Sequence, residues 1–497
     1  MSYGLCKLFC FLGVYDNIKM MKRVIFKITI LFVFFANVAF AETLEDKIFY
    51  VDPSFSENSS NYTLRAKHIL QKNGLDFYID SNFWNTNDPE EQRKIKEDLT
   101  GVSERFKVNQ AKIISLFGRE AYPGIDKNTN LVVLLHPLKN DAKGYIRVID
   151  KYEKIVAPLS NESEMVYLDA RKLDSPFIDS FLIHEYTHLI FINQKNTSSA
   201  FLEENTWLAE LYSEYAATVI QDSNVYGYFD QRIKDFFKNP SSSLVEWNGD
   251  VYDYAIITLF SHYIADNYGK EVLSESMKSS KAGIDSIDAA LKRRGYEDRF
   301  EDVFKNFVIT LAINDCSSND KYCFRNEKLK NFTILPFSNF LPFSGNAIIS
   351  IGQNIYNWSS QWQKFSGGTG EIEITFNGED DSNIEAKYIA KTRSGRNIVG
   401  DLELNEKKEG KVIIPKMDED YESILIIPIM ADRTFSGNSV RKWGYEIQAR
   451  VVSKEKEEPI EQTFEDVFNL NKPLTEMTKR ELLILLINIL LYKGYNF

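Results

Sequence analysis

Residues 184–188 read His-Glu-Tyr-Thr-His, an H-E-x-x-H run inside F-L-I-H-E-Y-T-H (Phe181 to His188). This run constrains the chain more than any other stretch, because it asks for one backbone state and one kind of partner. On a helix, residues four apart lie one turn above each other on one face. His184 and His188 then present two imidazoles to a single metal ion, and Glu185 lies beside them, able to take a proton from a water that the ion activates. The flanks suit a buried helix: Phe181, Leu182, Ile183, Leu189 and Ile190 are apolar, and Asp179 or Ser180 can cap its start. The competing reading is an ordinary amphipathic helix with two chance histidines. Only five histidines occur in 497 residues, so such a match is rare by composition.

A catalytic metal of this type takes three protein groups and keeps one position for water. Downstream lies E-E-N-T-W-L-A-E-L-Y-S-E-Y-A-A, residues 203–217, where Glu210 follows His188 with 21 residues between. Glu210 is the candidate third ligand. Glu214, one helical turn further on the same face, is placed to accept the N–H of a ligand imidazole and fix its tautomer. Glu203 and Glu204 are rivals for the ligand role.

These residues carry a resemblance. H-E-x-x-H followed by a glutamate on a second helix resembles the gluzincin metallopeptidases, and W-L-A-E-L-Y-S-E-Y-A (Trp207 to Ala216) is similar to the W-L-N-E-G-x-x-E-Y run of that clan. N-E-S-E-M-V-Y-L-D (Asn161 to Asp169), H-E-Y-T-H-L-I (His184 to Ile190) and Y-D-Y-A-I-I-T-L-F-S-H-Y-I-A-D-N-Y-G (Tyr252 to Gly269) look most like the hyicolysin family of secreted bacterial metallopeptidases. The resemblance covers roughly residues 60 to 310. One departure is local: Asn-Glu-Gly of the clan is Ala209-Glu210-Leu211 here, so both neighbours of the proposed ligand differ.

The resemblance implies a two-lobed catalytic domain and a Zn2+ ion held by His184, His188 and Glu210. It implies peptide-bond hydrolysis with Glu185 as general base, and an edge strand that pairs with extended substrate. It also implies a tyrosine donor to the developing oxyanion, for which Tyr254 is the candidate and Tyr252 the alternative. Two other functions compete. An aminopeptidase of the same clan needs an acidic anchor for the substrate's amino terminus, and no G-x-M-E-N-like signature is present. A non-catalytic envelope-binding protein with a structural metal has no use for the intact Glu185.

The first 41 residues read as a secretory signal peptide: Lys22 and Arg23 are basic, Val24 to Phe35 is largely apolar, and Ala39-Phe40-Ala41 is a small-x-small cleavage site. Its removal takes five basic residues (Lys7, Lys19, Lys22, Arg23, Lys27) and one acid (Asp16) from the 59 and 71 of the chain, leaving a formal charge of −16. Such a surface disfavours a nucleic-acid partner and says little about substrate; the protein or peptide substrate is what the resemblance implies. Export implies a secreted, periplasmic or envelope location, and predicts that Cys316 and Cys323 pair as a local disulfide. No stretch after the signal is long and apolar enough to span a bilayer.

The mature length exceeds one core. Residues 42–330 read as an α+β metallopeptidase domain. Within it Leu64 to Gln71 is expected to be a helix stopped near Gly74, and Asp88-Pro89-Glu90-Glu91 starts a helix running to about Phe117 with a break near Gly101. Asp76–Ile79, Leu131–Leu135, Tyr145–Ile149 and Met165–Leu168 are expected strands, with the substrate-pairing edge among the last two. Beyond Glu210 the pattern is helical, and His262 and His136 read as packing histidines. Residues 331–452 alternate β-branched and aromatic runs with Gly, Asn and Asp, as in an all-β sandwich. Residues 453–472 are linker-like. Thr478 to Tyr492 is expected to be a capped apolar helix that serves docking, dimerisation or envelope attachment.

Overall fold

The computed structural model describes residues 46–57, 62–195, 205–220, 226–342, 348–433, 441–452 and 477–492. The expected signal peptide, the expected linker at 453–472 and the rival ligands Glu203 and Glu204 lie outside the described residues.

The N-terminal half begins with a six-stranded mixed sheet: β1 (Lys47–Tyr50), β2 (Thr63–Lys72), β3 (Leu75–Asp80), β4 (Leu131–His136), β5 (Gly144–Tyr145) and β6 (Met165–Asp169), in the order β1-β2-β3-β4-β6-β5. The helix expected over Leu64–Gln71 is instead β2. The local signal that decides it is Asn73-Gly74. Both residues adopt positive φ, 54° and 84°, and close a two-residue hairpin in which Lys72 faces Leu75. β4 is buried at all six positions, as a continuous apolar run should be when parallel neighbours β3 and β6 flank it.

The strand expected over Tyr145–Ile149 is shorter. Only Gly144–Tyr145 pairs with β6, and the chain then turns into a 3-10 segment at Val148–Lys151. β5 is an edge of the sheet, and β6 lies inside it.

Helices cover the sheet and form the second lobe. After the short α1 (Ser81–Thr86) comes α2 (Pro89–Phe117), whose Asp88 and Glu91 make a reciprocal capping box. It runs through Gly101 unbroken. Then follow α3 (Ile178–Lys195), α4 (Thr206–Val219), α5 (Tyr228–Phe236), α6 (Val251–Tyr268), α7 (Lys270–Met277), α8 (Gly283–Arg293) and α9 (Phe300–Ile313). One apolar core runs from the inner face of the sheet through α3, α4 and α6 to α9. The expected disulfide between Cys316 and Cys323 is formed.

Residues 337–452 form ten strands, hydrogen-bonded into one sheet that folds around its own core of Ile372, Ile374, Phe376, Ile426 and Ile447. The chain as described is thus mixed α and β, with a barrel-like β sandwich after the helical lobe. Trp358 and Trp362 of this module belong to the core of the helical lobe. Trp358 stacks edge-on against Phe300 and Phe304, and Trp362 Nε1 donates to Val308 O at 3.2 Å. At the C-terminal end, Thr478 and Glu481 form the expected cap of α10 (Lys479–Tyr492). No helix of the described residues is long and apolar enough to cross a membrane.

Candidate metal centre

α3 follows β6 after a 3-10 segment at Ala170–Lys172 and is buried along most of its length, which fixes the face it shows to α4. His184 and His188 project from that face, and Glu210 projects toward them from α4. His184 Nε2 lies 3.0 Å and His188 Nε2 3.6 Å from Glu210 Oε2, with the two Nε2 atoms 3.2 Å apart. One donor atom from each of the three lies within 4.8 Å of the others, the arrangement that a single cation requires.

Each opposite ring nitrogen has an oxygen close by. His184 Nδ1 is 3.2 Å from Glu214 Oε1, and His188 Nδ1 is 3.2 Å from Ser213 Oγ. With acceptors at Nδ1, both Nε2 lone pairs and the Glu210 carboxylate converge on one point, a donor set that fits a metal ion. The same carboxylates favour a positive charge at this point. Burial works against charge on His184, but Glu210 and Glu214 outweigh it and carry the imidazole up to about 10. Burial likewise opposes the Glu210 carboxylate, and the two imidazoles hold it well below the usual range.

Glu214 is itself fully buried and held from every side. Arg232 of α5 grips it with Nε to Oε2 at 2.7 Å and Nη2 to Oε1 at 2.9 Å. The Tyr228 hydroxyl donates to Oε1 at 2.7 Å and Thr258 Oγ1 to Oε2 at 2.9 Å. Burial resists this charge, Arg232 outweighs burial, and the carboxyl is held down at about 2. A carboxylate kept ionised and immobile is what an imidazole N–H needs for a fixed orientation.

The spacing of the motif indicated Glu214 but not Arg232, Tyr228, Thr258 or Ser213. Ser213 sits directly before Glu214 and could have been noticed. Arg232, Tyr228 and Thr258 come from other helices, and only packing brings them there.

A cleft of about 600 Å³ opens on the centre, lined by His184, Glu185, Gly144, Phe55, Tyr254 and Arg232 among others. Burial raises the Glu185 carboxyl above its ordinary range, against the pull of His184 and His188. Gly144 of β5 presses on it. A Cβ built there would meet Glu185 Cγ and Oε1 and Tyr167 O, each at 2.8 Å. Tyr254 lines the cleft with its ring 6.3 Å from that of His184, between Trp247 at 4.9 Å and the Arg232 guanidinium at 4.7 Å. Burial and the nearby carboxylates push its phenol well up, so it remains a neutral donor. Tyr252 is not among the lining residues.

The two histidines expected to be structural are buried away from the centre. His262 contacts Thr218 Oγ1 at 2.8 Å and stacks on Phe229, and His136 contacts the Tyr145 hydroxyl at 3.1 Å.

No protein-family model matches this chain. The neutral metalloprotease ShpI of Staphylococcus hyicus is 28% identical over 188 residues, covering 32% of this chain and 41% of that protein. Solved structures similar to this chain include the pre-peptidase C-terminal domain of a Bacillus anthracis collagenase (12% identical, TM-score 0.17, 23% of this chain and 97% of that one). Another is the lysozyme inhibitor PliG of Salmonella Typhimurium (11% identical, TM-score 0.17, 23% of this chain and 100% of that one). Superpositions this partial carry no argument. The match to ShpI spans less than half of that relative, and over that part of its length the chain stands in a metallopeptidase relationship.

Proposed function

We propose that this protein is an exported zinc-dependent endopeptidase, with His184, His188 and Glu210 holding the metal and Glu185 acting as general base. The observation that supports it most is the convergence of two imidazole Nε2 atoms and one carboxylate beside a buried glutamate at the floor of a cleft. When bound, Zn2+ lowers the pKa of water toward neutrality and polarises a carbonyl. Glu185 takes the proton from the attacking water and passes it to the leaving amine, a task suited to a carboxyl raised by burial. Tyr254 is the proposed donor to the oxyanion, kept neutral by its surroundings and aimed by Trp247 and Arg232. Glu214 and Ser213 orient the two imidazoles. The open edge of β5 forms one wall of the cleft and offers backbone groups to an extended chain.

The deciding experiment uses Glu185→Gln. The amide keeps the size of the carboxylate but accepts no proton at neutral pH. Turnover of a short internally quenched peptide should fall about a hundredfold or more, with zinc content by mass spectrometry equal to that of the parent. Unchanged turnover would remove Glu185 from the mechanism, and a zinc-loaded parent that cleaves no peptide would favour the binding-protein alternative.

A further inference from the structure

The segment from Val148 to Leu159 follows edge strand β5. Five of its large apolar side chains face solvent: Ile155 is 87% and Val156 70% exposed, and Val148, Ile149 and Leu159 are exposed as well. Single exposed aliphatics need no explanation, but a local concentration of them does.

This loop is not loosely held. At its base Arg147 Nη1 meets Asp150 Oδ1 at 3.0 Å, with both side chains buried. Arg147 also donates to Tyr50 O at 2.8 Å and Leu159 O at 2.9 Å. Asp150 accepts from the Tyr167 hydroxyl at 2.5 Å and from Asn161 N at 2.8 Å, and Ser160 Oγ ties back to Tyr152 O at 2.6 Å. A buried ion pair gives little net stability but sets a geometry when every partner is satisfied. Here the geometry it sets holds aliphatic side chains out in water.

The same network reaches the cleft. Tyr167 stacks on Tyr145 at 4.3 Å, and Tyr145 on Phe55 at 4.7 Å. Phe55 and Gly144 are walls of the cleft, and a side chain at Gly144 would meet Glu185. A single ring stack therefore joins the cleft wall to the loop base. Val148 lies four residues beyond Gly144, at most about 14 Å along the chain.

We propose that the Val148–Leu159 loop is an exosite, an apolar docking surface for a substrate segment remote from the scissile bond, with Ile155 and Val156 as its main contacts. This rests on the peptidase reading of the metal centre. The loop follows directly on edge strand β5, whose Gly144 lines the cleft, and this identifies the occupant as the substrate chain. The chemistry of the surface selects unfolded or flexible polypeptides that display aliphatic or aromatic segments, because folded proteins bury theirs.

The test is the double substitution Ile155→Ser with Val156→Ser, two exposed positions where folding should be unaffected. In the Glu185→Gln background, the Kd for fluorescently labelled β-casein, read by anisotropy, should rise about tenfold, the effect of losing two modest apolar contacts. With Glu185 intact, kcat/KM for β-casein should fall similarly through KM, while kcat/KM for a quenched hexapeptide stays unchanged. An unchanged casein Kd overturns the exosite, as does an equal loss on the hexapeptide. Conversion of a parent dimer to monomer by the same substitutions, at constant casein Kd, also overturns it and assigns the loop to self-association. Hexapeptide turnover by the parent decides the peptidase reading separately, since the casein Kd is read without turnover.

Discussion

At the scale of single residues, the proposed centre rests on three donors, His184, His188 and Glu210. His184→Ala, His188→Ala and Glu210→Ala should each lose most bound zinc after dialysis, since two remaining protein groups hold it poorly. Stoichiometric zinc in Glu210→Ala, with loss on Glu203→Ala or Glu204→Ala, would reassign the third ligand. Gly144 is the subtler case. Added at 2.8 Å from Glu185 Cγ and Oε1 and equally close to backbone Tyr167 O, a methyl group displaces the glutamate and strains the β5–β6 pairing. Gly144→Ala should therefore cut turnover of a short peptide by roughly ten- to a hundredfold, the scale of an ångström-sized misplacement, and lower the melting temperature, while zinc content stays near the parent's. A turnover equal to the parent's would show that Glu185 tolerates the shift.

At the scale of elements, α4, α5 and α6 assemble the surroundings of α3. They also bury His262, whose Nδ1 faces the Asn326 amide and whose Nε2 faces Thr218 Oγ1. Burial alone presses this imidazole down to about 3. The sign follows from linkage. A histidine of depressed folded pKa contributes stability that is present above its unfolded value near 6.5 and is lost as pH falls below it. The folded protein should thus lose roughly 2–3 kcal/mol between pH 6.5 and 4 from this residue. His262→Gln should be less stable than the parent at pH 7 but lose less on acidification. Urea unfolding of both proteins at pH 7 and pH 4.5, with chelator present to remove any metal contribution, measures the difference. Parallel losses in the two proteins would rule out His262 as an acid-sensitive element.

At the scale of the whole molecule, the proposed boundary near residue 330 separates topologies but not cores. Trp358 is almost fully buried against α9, Leu244 N donates to Trp358 O at 2.8 Å, and Arg433 of the β module binds Glu301 and Asp288 of the helical lobe. Trp358→Ala should destabilise the protein by about 3–5 kcal/mol, the usual cost of emptying a buried indole site, and should do so with zinc still bound. A fragment ending at residue 330 should aggregate, because it exposes the face that Trp358 and Trp362 cover. A soluble, active fragment would show that the β module is dispensable.

Much of the centre was legible in the sequence because its information is local. Helical spacing alone puts His184 over His188 and Glu210 before Glu214, and those four side chains are found together. The capped start at Asp88, the buried run of β4, the disulfide and the capped start of α10 are equally short-range. Leu64–Gln71 reads as a helix because its apolar pattern satisfies more than one period, and the Asn73-Gly74 turn makes it a hairpin strand. What the tertiary structure alone decided lies far apart in sequence. It brought Arg232 to Glu214 and Gly144 to Glu185, set Trp358 into the helical core, and tied the ring stack of Phe55, Tyr145 and Tyr167 to the loop base at Asp150. Each of these depends on how separate elements close on one another, and no period or spacing along the chain encodes that distance.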